Sequence, residues 1–576
     1  MTRLLAIALL LAAAPAFAAT GQVAGSKHDL SASGPGPYRA AHERSPCVFC
    51  HTSHGAVGAK LSNRPEPRGS YTAYESSTAS PGLRQVTGAS RVCLSCHDGT
   101  VAVGETARGP IGMTGGDSRI GPGRRSLVGT DLRSSHPVSV RMAPSAKLRD
   151  PRHGDAVRLD PAGQVQCTSC HDPHDEWGDP QVGKFLVKPS ERSGLCASCH
   201  AEAQFPGATH ATSNAQFRDR ETNQLRAIST AGCSLCHVSH GADKRGRLLR
   251  ADRQGDDLCL ECHAASTPKQ IGTDVQKPWA HATPDRGARH DAAEGPDAPS
   301  AYALPERAPG MPRHVACVDC HDPHASNPMP GIAPVASGAL AGVWGIDLQG
   351  RPVAPARNEY EVCLKCHGDS ANIPFGATRG GARRASEDTN LRLVFAPTAA
   401  SFHPVAAPGK NPSVPGLKAG LGAGSLIRCT DCHASDQGPG AGGSGARGPH
   451  GSIYPALLER QYRTEDFTPE GPEAYALCYK CHDRDVLLSD RSGFPMHRKH
   501  VVDRSAPCSA CHDAHGVSSE AGTEQNNAHL VSFDLSIVRP GQAGVARYDA
   551  AGVGHGSCNL SCHATPHGPT SKAFSY

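Results

Sequence analysis

The chain has 576 residues, of which 63 are glycine and 47 proline, while Phe, Trp and Tyr together make up only 5%. Such a chain is turn-rich and short of the large side chains that fill an ordinary core, which excludes long helices and broad sheets. The formal charge of +4 gives no case for a nucleic-acid partner, and no apolar run after the first twenty residues is long enough to cross a bilayer.

The first residues, MTRLLAIALLLAAAPAFAAT, read as an export signal. Arg3 is the positive start, Leu4 to Ala14 an apolar stretch too short for a membrane helix, and Ala16-Phe17-Ala18 a cleavage site. Residues 1–18 are therefore expected to be removed, and the alternative of a buried N-terminal helix is the weaker one. An exported chain can form disulfides, so its 24 cysteines have to be read with that option open.

Those cysteines fall into twelve sites, and none is left over. Eleven have the form Cys-x-x-Cys-His: Cys47, Cys50 and His51; Cys93, Cys96 and His97; Cys167, Cys170 and His171; Cys196, Cys199 and His200; Cys233, Cys236 and His237; Cys259, Cys262 and His263; Cys317, Cys320 and His321; Cys363, Cys366 and His367; Cys429, Cys432 and His433; Cys478, Cys481 and His482; Cys508, Cys511 and His512. The twelfth, Cys558, Cys562 and His563, carries one extra spacer residue. This is the attachment signal for c-type haem. Two thiols add to the vinyl groups of one porphyrin edge, and the next residue, a histidine, falls under the iron. A zinc site does not need a histidine after every pair. A redox Cys-x-x-Cys occurs singly in a βαβ setting, and a disulfide framework has no use for the histidines. Twelve covalent haems are expected, one for roughly every 46 residues beyond the signal. They supply core that the side chains lack, and such a chain does not fold without its cofactor.

The sites form six consecutive pairs. The first member is often followed by a second histidine three residues on: His54, His174, His240, His324 and His515. In the fifth pair a Gly-rich insertion displaces it to His450. A further histidine lies between or after pairs: His136, His210, His281, His403, His500 and His567. These twelve are the expected second iron ligands. Twenty histidines lie outside the motifs and there are only six methionines, so histidine is expected on both faces of every iron. His28, His42, His153, His290, His314, His497, His529 and His555 are reserves, with His42, His314 and His497 first among them. A histidine three residues past the one under its own haem cannot swing round to the other face of that haem. If it binds iron, it binds a neighbouring one and clamps two haems together.

The expected fold is a multihaem cytochrome c: mostly loops with short helices and a minor β-hairpin, organised around a chain of twelve haems. Residues 264–314 are rich in Pro, Ala, Gly and Asp and are expected to link a hexahaem region at 19–263 to another at 315–576. Residues 331–360 and 371–428 read as loops. Helix is expected around LLERQYRTEDF and AYALCYKCHD. In HLVSFDLSIV, Val531, Phe533, Leu535 and Ile537 alternate with Ser532, Asp534 and Ser536, which predicts a strand that ARYDA could join as a hairpin.

CLSCHDGTVAV followed by SSHPVSV, the paired CHDPH…LCASCH units and HLVSFDLSIV…GSCNLSCH resemble the doubled Cys-x-x-Cys-His multihaem cytochromes c of bacteria that respire metals and other external acceptors. The resemblance touches all six pairs, and that family has the same Cys-x-x-x-Cys-His spacing at its final site. It implies an electron carrier, not an enzyme, with no catalytic residues. It places the protein in the periplasm, at the outer membrane or outside the cell, exchanging electrons with other redox proteins such as quinol-linked donors and outer-membrane or extracellular cytochromes. Self-assembly into a conductive filament stays open, as does reduction of a small nitrogen or sulfur oxyanion. The second would need an iron with an open position, and no deviant motif supplies one.

Overall fold

The computed structural model describes residues 23–54, 62–75, 85–116, 118–145, 147–176, 184–219, 223–242, 247–250, 256–264, 270–281, 304–305, 315–371, 383–386, 388–552, 555–563 and 565–567. The expected export signal, His290 and His314 lie outside them.

The eleven Cys-x-x-Cys-His sites all sit on helical turns, because the first cysteine's carbonyl can accept the histidine's own amide four residues on. His51, His171, His200, His237, His321, His433, His482 and His512 close this bond at 2.8–3.0 Å. Three of the turns extend into helices, Gly88–His97, Asp257–His263 and Glu359–His367, and each ends on the motif histidine. Glu359–His367 starts from a capping box in which the Asn358 amide donates to Glu361. At the others the turn is four residues or fewer, as at Cys167–Cys170, Cys196–Ser198 and Cys429–Asp431. No described helix is long and apolar enough to cross a membrane.

The two stretches expected as helix are not helical. In LLERQYRTEDF only the end of a 3₁₀ turn at Pro455–Leu457 is present, and AYALCYKCHD holds one 3₁₀ turn, Cys478–Lys480. The packed cysteines leave no room for a continuous helix face there: the Cys478 and Cys508 thiols touch beside a fully buried Tyr475.

The expected strand at Val531–Ile537 is also absent. Asp534 accepts hydrogen bonds from the amide and hydroxyl of Ser536, and its carbonyl takes the amides of Ile537 and Val538, which makes a turn. Ser532 and Asp534 are as buried as Val531 and Phe533, so the alternation does not separate a wet face from a dry one. The strands lie further on. His555–Cys562 is flanked antiparallel by Val538–Pro540 on one edge and Arg547–Gly552 on the other, and Thr565–His567 folds back against it. ARYDA is therefore in a hairpin, but its partner is the strand carrying the twelfth cysteine pair.

The described residues fall into two compact units. One is drawn from Met1–Ala203 and Arg218–Asp252, the other from Gln204–Phe217 and Arg253–Tyr576. The Cys259 site lies in the second unit, where His210, within residues 204–217, has its ring 6.3 Å from that of His263. The expected linker also takes part in that unit: Trp279–Ala280 pairs with Gly451–Ser452.

Apolar burial is confined to small clusters. The largest gathers Ala510, Val531, Phe533, Val538, Tyr548 and Leu560 beneath the C-terminal sheet. Phe533→Ala is expected to cost about 3–5 kcal/mol of stability, against less than about 0.5 kcal/mol for Ile332→Ala at an exposed site. Thermal unfolding of the two variants checks this.

Candidate functional site: facing histidines along the cysteine pairs

Numbering the sites 1 to 12 along the chain brings out a regular pattern. Eight motif histidines face a histidine from elsewhere, with ring centroids 5.9–6.4 Å apart: His51 with His174, His97 with His28, His171 with His240, His200 with His136, His263 with His210, His321 with His450, His433 with His515 and His512 with His497. At His367 and His482, after burial, the largest influence comes from another histidine, His281 and His403 respectively.

That separation tests whether an iron fits. A metal–imidazole bond is about 2.0–2.1 Å and a ring centroid lies about 1.1 Å behind its nitrogen, so two rings on one metal stand about 6.3 Å apart. The observed spacing is the one an axial pair requires. In the second unit, the cysteines and histidines of sites 8 to 11, with Cys558, Cys562, His563, His500 and His567, line one mostly apolar cavity of about 2150 Å³. A single-ligand pocket runs to about 300–1,000 Å³, so this cavity has room for several flat cofactors.

The rings are also set in the protonation state that a metal needs. At the motif histidines, Nδ1 of His97, His171, His237, His321, His433 and His512 donates to a backbone carbonyl at 2.7–2.9 Å, which leaves the Nε2 lone pair free to face the partner. Burial above all, and then the facing histidine, pushes His240, His367, His450, His482 and His512 down to about 4.

Two rules emerge for the facing rings. At sites 1, 3, 7 and 9 the ring comes from the histidine just past the motif two sites later: His174, His240, His450 and His515. At sites 2, 4 and 6 it comes from a histidine upstream of the preceding site, His28, His136 and His210, and at sites 8 and 10 the histidine that interacts electrostatically with the motif ring, His281 and His403, lies upstream in the same way. The two sets are joined. Nδ1 of His28, His210, His281 and His403 donates to the carbonyl of Pro173, Pro323, Pro449 and Ala514, each the residue just before a clamp histidine. His136 does the same with its backbone amide, to Ser239 at 2.7 Å.

Not every expected second histidine is seen facing a motif ring. His54 is exposed and has no ring partner among the described residues. His567 faces His500 at 6.2 Å instead of a motif histidine. His28 and His497 take up facing positions at sites 2 and 11. His324 lies 6.1 Å from Phe205, and His42 faces no site.

The sequence did not reveal a second set of ties, between pairs. Ser90, Ser193 and Asp256, each three residues before an even-numbered site, accept the amide of the next site's first cysteine: Cys167, Cys233 and Cys317, at 2.9–3.0 Å. The first thiols of successive sites touch accordingly: Cys93 with Cys167, Cys196 with Cys233, Cys259 with Cys317 and Cys363 with Cys429. None of the 24 cysteines forms a disulfide. The only advance signal was a small polar or acidic residue at that position.

Site 12 is built differently. Its cysteines lie on a strand, where four residues span about 13 Å, against about 4.5 Å of rise over the three residues of a helical turn. His563 Nε2 is bonded to Asp466 at 2.9 Å, and its ring packs on Phe467.

Three segments, 160–205, 226–267 and 422–487, match the family model of the doubled CXXCH motif. They cover sites 3 and 4, 5 and 6, and 9 and 10, and they are features of a multihaem c-type cytochrome family, whose covalent haems carry electrons. No curated protein matches the chain.

The lowered histidines set the response to acid. An unfolded histidine takes a proton near pH 6.5, whereas the buried one refuses it until about 4, so between those values the unfolded chain binds more protons. Stability is expected to be full above pH 6.5, to fall steadily down to pH 4, and to lose nothing further from this source below that. Unfolding midpoints at pH 7.5, 6 and 4.5 check the trend.

Proposed function

We propose that the protein carries electrons along a chain of twelve covalently bound haems, each iron held between two histidines, in respiration that crosses the periplasm or reaches the cell exterior. The observation that carries this reading is the set of histidine pairs at the spacing of two ligands on one metal. When bound, haem supplies one-electron exchange at iron without group transfer.

The chain's own residues hold, space and insulate. The paired thiols would hold one porphyrin edge, each through a sulfur–carbon bond made by addition of its S–H across a vinyl group. Backbone carbonyls hold the imidazoles in the tautomer that presents Nε2. The residue before each clamp histidine anchors the second ligand of the neighbouring iron, so two cofactors of a pair are fixed against each other by one peptide bond and one hydrogen bond. The clamp then reaches back two sites and ties consecutive pairs. A fixed short spacing of this kind serves electron passage, and a second histidine at an iron closes it to a small oxyanion. We place the chain among exported proteins that exchange electrons with other redox proteins, on the strength of its N-terminal segment and its kinship. Filament assembly would alter its reach and leave its chemistry the same.

Two results are expected. Redox titration gives a broad curve at mostly negative potential, since axial methionine, which raises potential, is scarce. His174→Ala keeps every haem by intact mass, yet high-spin iron appears at site 1, the haem of Cys47 and Cys50, and not at site 3, where His174 lies in sequence. A fully low-spin resonance Raman spectrum of His174→Ala contradicts the clamp.

A further inference from the structure

The twelfth site breaks the pattern of the other eleven, and the way it does so points to a different iron ligand. Strand residues alternate faces. Cys558, Leu560 and Cys562 therefore share one face of the strand His555–Cys562. The chain turns at His563, where φ is +44°, and returns as Thr565–His567 with His567 opposite Leu560 in register. Directly opposed residues project to the same side, about 4.5–5.5 Å apart. The hairpin thus sets His567 beside the midpoint between the two cysteines, on their face, which is where a ligand beneath the porphyrin has to be.

His500 stands across from it, with ring centroids 6.2 Å apart, within the range seen at the other sites. His500 also continues the rule for even-numbered sites, since it lies upstream of site 11 and its Nδ1 donates to the Met496 carbonyl at 2.9 Å. His563, the motif histidine, is withdrawn. Its Nε2, the nitrogen that the other motif histidines keep free, is bonded to Asp466 at 2.9 Å, and its ring lies 4.6 Å from that of Phe467.

We infer that the twelfth iron is held by His500 and His567, and that His563 serves as an anchor to Asp466 and not as a ligand. The extra spacer residue has a reason in this arrangement: on a strand, three residues between two cysteines put both on one face, whereas two would put them on opposite faces. The inference rests on the proposed haem binding.

The test uses the full holoprotein with methionine at each candidate position. His567→Met is expected to keep twelve haems by intact mass and to gain a single methionine–iron charge-transfer band, together with one haem raised in potential. His563→Met is expected to show neither change. A methionine band in His563→Met, or none in His567→Met, overturns the assignment. The wild-type mass separates the two levels of the account: no haem at all sinks haem binding itself, whereas eleven haems sink only the ligand assignment at site 12.

Discussion

A histidine three residues beyond the one that follows its own cysteine pair cannot turn back to the same metal, and the rest of the structure follows from that short tether. The ring has to look outward. In the folded chain it looks back two sites: His174 meets His51, and His515 meets His433. These two reaches each close a loop of more than eighty residues with a contact a few ångströms long. A chain with so few aromatic residues has little else with which to hold distant segments together.

The backbone around the clamp adds a second tie at almost no cost in length. The carbonyl just before the clamp ring is already fixed by it, and a ring of the neighbouring site bonds to that carbonyl, as His281 does to Pro449 at 2.7 Å. One dipeptide therefore positions two rings aimed at two different cysteine pairs. Ser90, Ser193 and Asp256 extend the linkage to the next pair by taking a cysteine amide. The pairs evident in the sequence are thus pairs in space, and different atoms make the joints within pairs and between them.

The cysteine spacing, the clamp positions and the fact that a clamp must serve another site could all be read from the residues, because they follow from covalent reach. The partner of each ring could not, because it depends on long loops without periodicity. His28 lies 69 residues from His97 and carries no motif around it. His54 has the same local sequence pattern as His174 yet faces no ring among the described residues. The strand at the twelfth site was misplaced because alternation in Val531–Ile537 reflects buried serine and aspartate in a turn, while Asn559, Leu560 and Ser561 between the cysteines carry little strand signal. Helix expected at LLERQYRTEDF came from composition alone, and packing around Tyr475 and the Cys478–Cys508 contact overrides it.

The ring planes differ from site to site. They are within 30° of parallel at sites 1, 3, 7 and 9, 77–90° apart at sites 2, 4 and 6, and 43° apart at site 11. Parallel imidazoles split the two iron orbitals they overlap, while perpendicular ones leave them nearly equal in energy. Electron paramagnetic resonance of the oxidised protein therefore tests the central claim most directly. The account predicts low-spin iron only, in two classes: one rhombic, the other with a single large g value. A substantial high-spin signal, or one uniform low-spin class, would contradict it.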